Sequence, residues 1–133
     1  MMKRIRKKIC QTILTDFDKG THGNCGAACV SSMTGVPIES WPENRDLWDD
    51  HLAKWGWIVK SHTGTPPEDG HVYMSSYHVP EIVWPKGIEP YGHVVLVRNG
   101  KIIFDPRCGN PIKLGDHRGY YFTVEKLQQK IAA

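Results

Sequence analysis

The chain has 133 residues, 40% of them apolar and 23% charged, with four cysteines. A chain of that size suits one domain burying about two-thirds of its unfolded surface, so folding requires neither a disulfide scaffold nor a metal, and the ordinary composition excludes a wholly disordered or fibrous protein. The net charge of +3 is concentrated at one end: Lys3, Arg4, Arg6, Lys7 and Lys8 lie in the first eight positions, and the rest of the chain holds 12 basic against 14 acidic residues.

In chain order, residues 1–9 read as a basic tail, disordered and serving solubility or anion binding, ahead of a single domain over residues 10–133. The stretch after Lys8 lacks the long apolar segment of a signal peptide. The longest uncharged apolar run, Val94 to Val97, is far too short to span a bilayer. A cytoplasmic location follows as the expectation. Thiols stay reduced there, so Cys10, Cys25, Cys29 and Cys108 are expected to be free thiols, catalytic groups or metal ligands.

Residues 4–14 alternate loosely and predict an edge strand, and residues 16–23 are loop chemistry. A helix is predicted from Cys25 to Met33, with Asn24 as N-cap and Gly35 at the C′ position. A second spans Asp46 to Trp55, with Leu47, Trp48, Leu52 and Trp55 at helical spacing, and is expected to bury at least two of the clustered tryptophans 41, 48, 55 and 57. Trp41 and Trp84 sit in proline-bounded loops at the edge of a possible cleft. Strands are predicted at 57–60 and 71–75, and three prolines make 77–91 irregular. Residues 92–97 and 101–105 form the clearest hairpin, followed by a strand near 120–123 and a short final helix. Helices first and an antiparallel sheet afterwards indicate an α+β fold.

Three features carry chemistry. Cys25 opens the first helix, where unpaired N–H groups and the dipole favour a thiolate, whose pKa at such positions falls from ~8.5 to between ~3.5 and 7.5. Gly26 leaves room beside the sulfur, and Cys29, one turn deeper, packs in the core. His93 opens the apolar strand Val94–Val97, where an imidazole is out of place unless it faces a cleft. Asp105 follows on the partner strand, just before Pro106. A two-residue Asn99-Gly100 turn would pair Arg98 with Lys101 and set His93 and Asp105 on opposite faces. A three-residue loop with Gly100 in a bulge would pair Val97 with Lys101 and bring His93 directly across from Asp105, with Cβ atoms ~4.5–5.5 Å apart. The three-residue loop is predicted, with Asp105 accepting from the imidazole Nδ1–H.

In that order, Cys, His and Asp resemble the papain-like cysteine peptidase superfamily, and Gly92-His93-Val94-Val95 with Phe104-Asp105-Pro106 is similar to bacteriocin-processing peptidases. Gln11-Thr12, Gly23-Asn24-Cys25, Val36-Pro37-Ile38-Glu39 and the Trp48–Trp55 segment extend the likeness to short phage and bacterial papain-like proteins, over about residues 10–107. The resemblance implies a papain-like fold, a nucleophile helix packed on an antiparallel sheet. It also implies a catalytic set of Cys25, His93, Asp105 and Gln11, the last completing the oxyanion hole. Gln11 precedes Cys25 by 14 positions, so the intervening loop must fold back, and Asn24 is the other candidate for that role.

The resulting expectation is a thiol hydrolase that cleaves a peptide or isopeptide amide through a thioester, phage-encoded and acting in the host cytoplasm. The same triad serves a deamidase or acyltransferase, and a non-catalytic binding protein on the same fold is the alternative from another class. The expected partner is a peptide or protein substrate. No nucleic acid is expected, because basic and aromatic residues do not interleave, and no membrane. A zinc site built from Cys25, Cys29, Cys108 and a histidine is the chemical competitor, but neither Cys-x₂-Cys nor His-x₃-His spacing is present, and no metal or cofactor is expected.

Overall fold

A computed structural model of the chain describes residues 2–13, 23–80, 92–110 and 112–127. It is α+β, as expected: helices α1 (Cys25–Thr34) and α2 (Trp48–Lys54) precede strands β1 (Trp57–Thr63), β2 (Tyr73–Tyr77), β3 (His93–Arg98), β4 (Lys101–Phe104) and β5 (His117–Lys126). The strands form one antiparallel sheet in the order β1-β5-β2-β3-β4.

Helix α1 packs on β3 and α2 on β1, covering one sheet face. The core between these layers comprises Cys29, Val30, Met33 and Val36 from the α1 side, Leu52 from α2, and Trp57, Met74, Leu96, Phe104 and Val124 from the sheet. Tyr73, Val95 and Val97 form a smaller cluster with Leu114 and Tyr121. Strand β3 is thus apolar at nearly every position, because its alternate side chains enter two different clusters.

Helix α1 is buried from Ala27 to Thr34 despite three hydroxyl residues. Each hydroxyl has a partner. Ser32 and Thr34 donate to carbonyls one turn back (Ala28 and Val30, both 2.8 Å), and Ser31 accepts from the Trp41 indole. Gly35 ends the helix at φ 84, its N–H bonded to the Ser31 carbonyl.

Several expectations change. The basic N-terminus is not disordered: it lies along α1, where the Arg6 and Lys7 N–H groups bond the Ser32 carbonyl and Ile9 N–H bonds the Ser32 hydroxyl, while Met2 and Ile5 pack against the core. Residues 4–13 form no strand, since their backbone pairs with helix carbonyls and single loop residues instead of a sheet neighbour. Residues 45–47 form a 3₁₀ turn ahead of α2, which shortens the helix. Helix α2 buries Leu52 alone, while Trp48 is half-buried and Trp55, its C-cap residue, is 50% exposed. Strand β5 runs on to Lys126 where the final helix was expected to begin. The rest of that helix, residue 14 of the edge strand, the loop at 16–22, and 81–91 with Trp84 lie outside the described residues. Among the described residues no helix is long and apolar enough to cross a membrane.

Candidate active site

Cys25 is the first residue of α1, and no side chain caps that helix. Asn24 holds the expected N-cap position, its carbonyl accepting from the Ala28 N–H at 3.0 Å, but its side chain makes no capping bond. Its Oδ1 accepts from the Thr12 and Ile13 N–H groups (3.1 and 3.0 Å), and its Nδ2 donates to Thr12 Oγ1 (2.8 Å). The first N–H groups of α1 therefore remain available to an anion beside the sulfur. A Cβ placed on Gly26 would meet nothing within 4 Å, so the space next to Cys25 is open.

His93 is buried at 6% exposure where β3 begins. Gly92 before it is obligatory for packing: a Cβ there would run into the Tyr77 carbonyl and come within 2.6 Å of Ser76 Oγ and Arg118 Cδ. The backbone thus passes close against β2 just where it delivers the imidazole.

The hairpin joining β3 to β4 differs from the expected one. Arg98 pairs with Lys101 across a two-residue turn, Asn99 at φ 50 and Gly100 at φ 74. Positive φ at both positions is the type I′ geometry that Asn-Gly favours, and it fits the twist of a hairpin better than the longer loop. Such a turn alone would separate His93 from Asp105 onto opposite faces. A bulge corrects this: Val97 pairs with Ile102 but Leu96 with Phe104, so Ile103 is an extra residue. Continued one step, that register sets Asp105 opposite Val95 and diagonal to His93, on the same face. The contact forms, with His93 Nε2 2.6 Å from Asp105 Oδ1. It uses Nε2, not the expected Nδ1, which leaves Nδ1 for the Cys25 thiol, to which His93 is also hydrogen-bonded. Asp105 Oδ1 accepts a second hydrogen bond from the Arg107 N–H at 2.9 Å.

The electrostatics agree with this chain of contacts. Burial raises the Cys25 pKa, but the hydrogen bond and charge of His93, the Val94 backbone and the Arg45 charge outweigh it and hold the thiol below its ordinary value. Burial lowers the His93 pKa, but bonds and charges from Asp105 and Cys25 push it up to about 9. The Asp105 carboxyl is opposed by burial yet held below the usual range by His93 and Arg107. The opposed shifts favour a thiolate–imidazolium pair between Cys25 and His93, with the Asp105 carboxylate behind the ring. Cys29, by contrast, is fully buried, its thiol pushed well up by burial and its Sγ 3.6 Å from the Val94 carbonyl.

Gln11 lies on the segment that bridges the two halves of the site. Its N–H bonds the Pro106 carbonyl (2.7 Å), next to Asp105, and the same segment returns to the helix through Asn24 N–H to Ile13 O (3.1 Å). Its Nε2 donates to Ile13 O at 2.8 Å, and its Oε1 is buried without a partner.

The sequence reading missed one covalent feature. Cys10 and Cys108 are joined in a disulfide across 98 positions, so they are not free thiols, and Cys108 cannot join Cys25 and Cys29 around a metal. The bond ties the residue before Gln11 to the turn after Asp105. Sequence offered no signal for this pairing beyond the two cysteines flanking the candidate site residues. Among the described residues no group of three or more His, Cys, Asp or Glu is placed to hold a metal ion.

The hydroxyl–imidazole pair of Ser75 Oγ and His117 Nε2, 2.7 Å apart, is not a nucleophile–base dyad. His117 Nδ1 accepts from the Gly119 N–H, so Nε2 carries the proton and donates to the buried serine.

Two depressions flank Cys25. A pocket of about 200 Å³ lined by Gly26, Trp41, Trp48, Leu52, Met74 and Val94 is almost wholly apolar. A groove of about 690 Å³ runs past Asn24, Glu39 and Arg45 and shares the Trp41 and Trp48 walls. Trp41 is fixed by its indole bond to Ser31 (2.8 Å) and its edge contact with Trp48 (5.2 Å between centroids). No protein-family model, curated protein or solved structure matches the chain.

Proposed function

We propose that the chain is a papain-like thiol hydrolase acting on a peptide or isopeptide amide, with Cys25 as nucleophile, His93 as general acid and base, and Asp105 as the group that orients the imidazole. The observation that carries this reading is the 2.6 Å bond between Asp105 Oδ1 and His93 Nε2, which orients the ring and leaves Nδ1 toward a cysteine at a helix start.

The Cys25 thiolate attacks the carbonyl carbon, forming a C–S bond and placing negative charge on oxygen. The free N–H groups at the start of α1 and the second N–H of Gln11 Nε2 stabilise that charge. Asn24 is the alternative donor: its Oδ1 is taken by the Thr12 and Ile13 N–H groups, and its Nδ2 keeps one N–H beyond the bond to Thr12 Oγ1. Imidazolium His93 protonates the leaving amine as the C–N bond breaks. Neutral His93 then draws a proton from water, which attacks the thioester and releases the acid and Cys25. The apolar pocket beside Gly26 suits an aliphatic or aromatic side chain near the scissile bond.

A deamidase or acyltransferase would use the same residues and differ only in the acyl donor or acceptor. The exposed Cys10–Cys108 bond favours an oxidising compartment; action as a phage product in host cytoplasm requires it to persist against a reducing pool. The test is mass spectrometry of proteins exposed to the wild-type chain or to Cys25→Ala. New peptide termini that depend on Cys25 support a peptidase, and a gain of about one mass unit on glutamine or asparagine identifies a deamidase. No Cys25-dependent change in any protein overturns the hydrolase reading.

A further inference from the structure

A further concave surface lies at the other end of the ten-residue α1, ~15 Å from Cys25. This groove, of about 850 Å³, is lined by Arg6, Thr34, Gly35, Lys54, Trp55, Trp57, Lys126 and their neighbours. Among the described residues it holds three cations and no carboxylate. Trp55 stands at its edge with half its surface exposed, beside Leu127 at 38%. Lys126 Nζ lies 5.8 Å over the Trp57 ring.

Helix capping explains part of this charge. The groove receives the C-termini of α1 and α2, each worth about half a negative charge at most, and Arg6 bonds the Thr34 carbonyl at 2.9 Å. That offsets about one of the three positive charges and leaves about two. Lys126 comes from β5 and serves no helix end, and capping gives no reason for an exposed indole at the rim.

We propose that this groove binds single-stranded nucleic acid, one base stacking on Trp55 and the adjacent phosphates meeting Lys54, Lys126 and the remaining N–H groups of Arg6. A cation cluster alone would suit any polyanion. The combination with an exposed indole selects a ligand that alternates planar rings with phosphates. Concavity disfavours a lipid surface, which lies flat against protruding side chains. The basic–aromatic interleaving is invisible in the sequence because the groove draws on residues 6, 34–35, 53–57 and 126–127, four segments that meet only in the fold. This inference is independent of the chemistry at Cys25.

The test is fluorescence anisotropy of a fluorescein-labelled thymidine decamer with the full chain. Binding is expected to weaken with salt at a log–log slope of about −2, three phosphates at ~0.7 each. Trp55→Ala should weaken it ~10-fold. Lys54→Gln with Lys126→Gln should flatten the slope to about −0.7. Both sets of positions are exposed or half-exposed, and Cys25 alkylation, unchanged in the variants, reports that the fold is retained. No binding at low salt, binding indifferent to Trp55→Ala, equal competition by polyglutamate, or retention on phosphatidylserine vesicles without oligonucleotide binding would each overturn the proposal.

Discussion

His93 Nε2 and Asp105 Oδ1 lie 2.6 Å apart although their strands never pair these residues directly. The type I′ turn alone would have turned one of them away, and the extra residue Ile103 turns it back. Asp105 further anchors the turn beyond it through the Arg107 N–H. Asp105→Asn should keep this local fold while weakening its hold on the imidazole. Hydrolysis of an activated ester is expected to fall at least ~10²-fold, with Tm nearly unchanged. A variant with wild-type turnover would remove Asp105 from the reaction.

The pH dependence follows from the two opposed shifts. The Cys25 pKa is lowered and the His93 pKa raised to about 9, so the ion pair forms above the first and dissolves as pH rises through the second. Amide or ester turnover should therefore fall on the acid side as the thiolate is protonated. It should fall again near 9, where His93 loses the proton it must donate. In Cys25→Ser the thiolate contribution to His93 disappears, and NMR titration of the imidazole should show a lower pKa than in the wild type. An unchanged imidazole titration would mean that the thiol and ring do not interact.

Gln11 and Asn24 separate by role. In the proposed mechanism Gln11→Ala removes a donor needed only when oxygen becomes negative, so turnover should drop ~10²–10³-fold while Cys25 alkylation, which forms no oxyanion, keeps its rate. Asn24→Ala releases the 11–13 segment from the helix start and should lower Tm and both rates together. The opposite pattern would exchange the assignments.

The disulfide holds the Gln11 and Asp105 segments to each other. Cys10→Ser should cost about 2–4 kcal/mol in denaturant unfolding, because it frees a long loop in the unfolded chain, and should lower ester turnover even where the variant is fully folded. Unaltered turnover would show that the Gln11–Pro106 hydrogen bond suffices to keep the site together.

Much of the fold is written in local pattern. Gly35 stops α1 where αL geometry is needed, and the apolar run after His93 marks β3. The candidate site residues are legible because Cys25, His93 and Asp105 each sit at an element boundary. What sequence hides is non-local. The bulge at Ile103 has no local signature, since both registers place apolar side chains inward. The Cys10–Cys108 pairing spans 98 positions, and the fit of Met2 and Ile5 against the core turns an apparently free basic tail into part of the domain. Trp55 follows helical spacing yet stays exposed, for it lies past the end of α2 as its C-cap residue, and Leu52 is the helix's sole buried anchor.

The central claim is that His93 activates Cys25. Intact-mass kinetics of limiting iodoacetamide at pH 7, with the modified site located by peptide mapping, test it most directly. Selective labelling of Cys25 is expected, with Cys29 untouched and the rate reduced at least ~10-fold in His93→Ala as the thiol returns toward its ordinary pKa. Equal labelling of Cys25 and Cys29, or a Cys25 rate indifferent to His93→Ala, would contradict it.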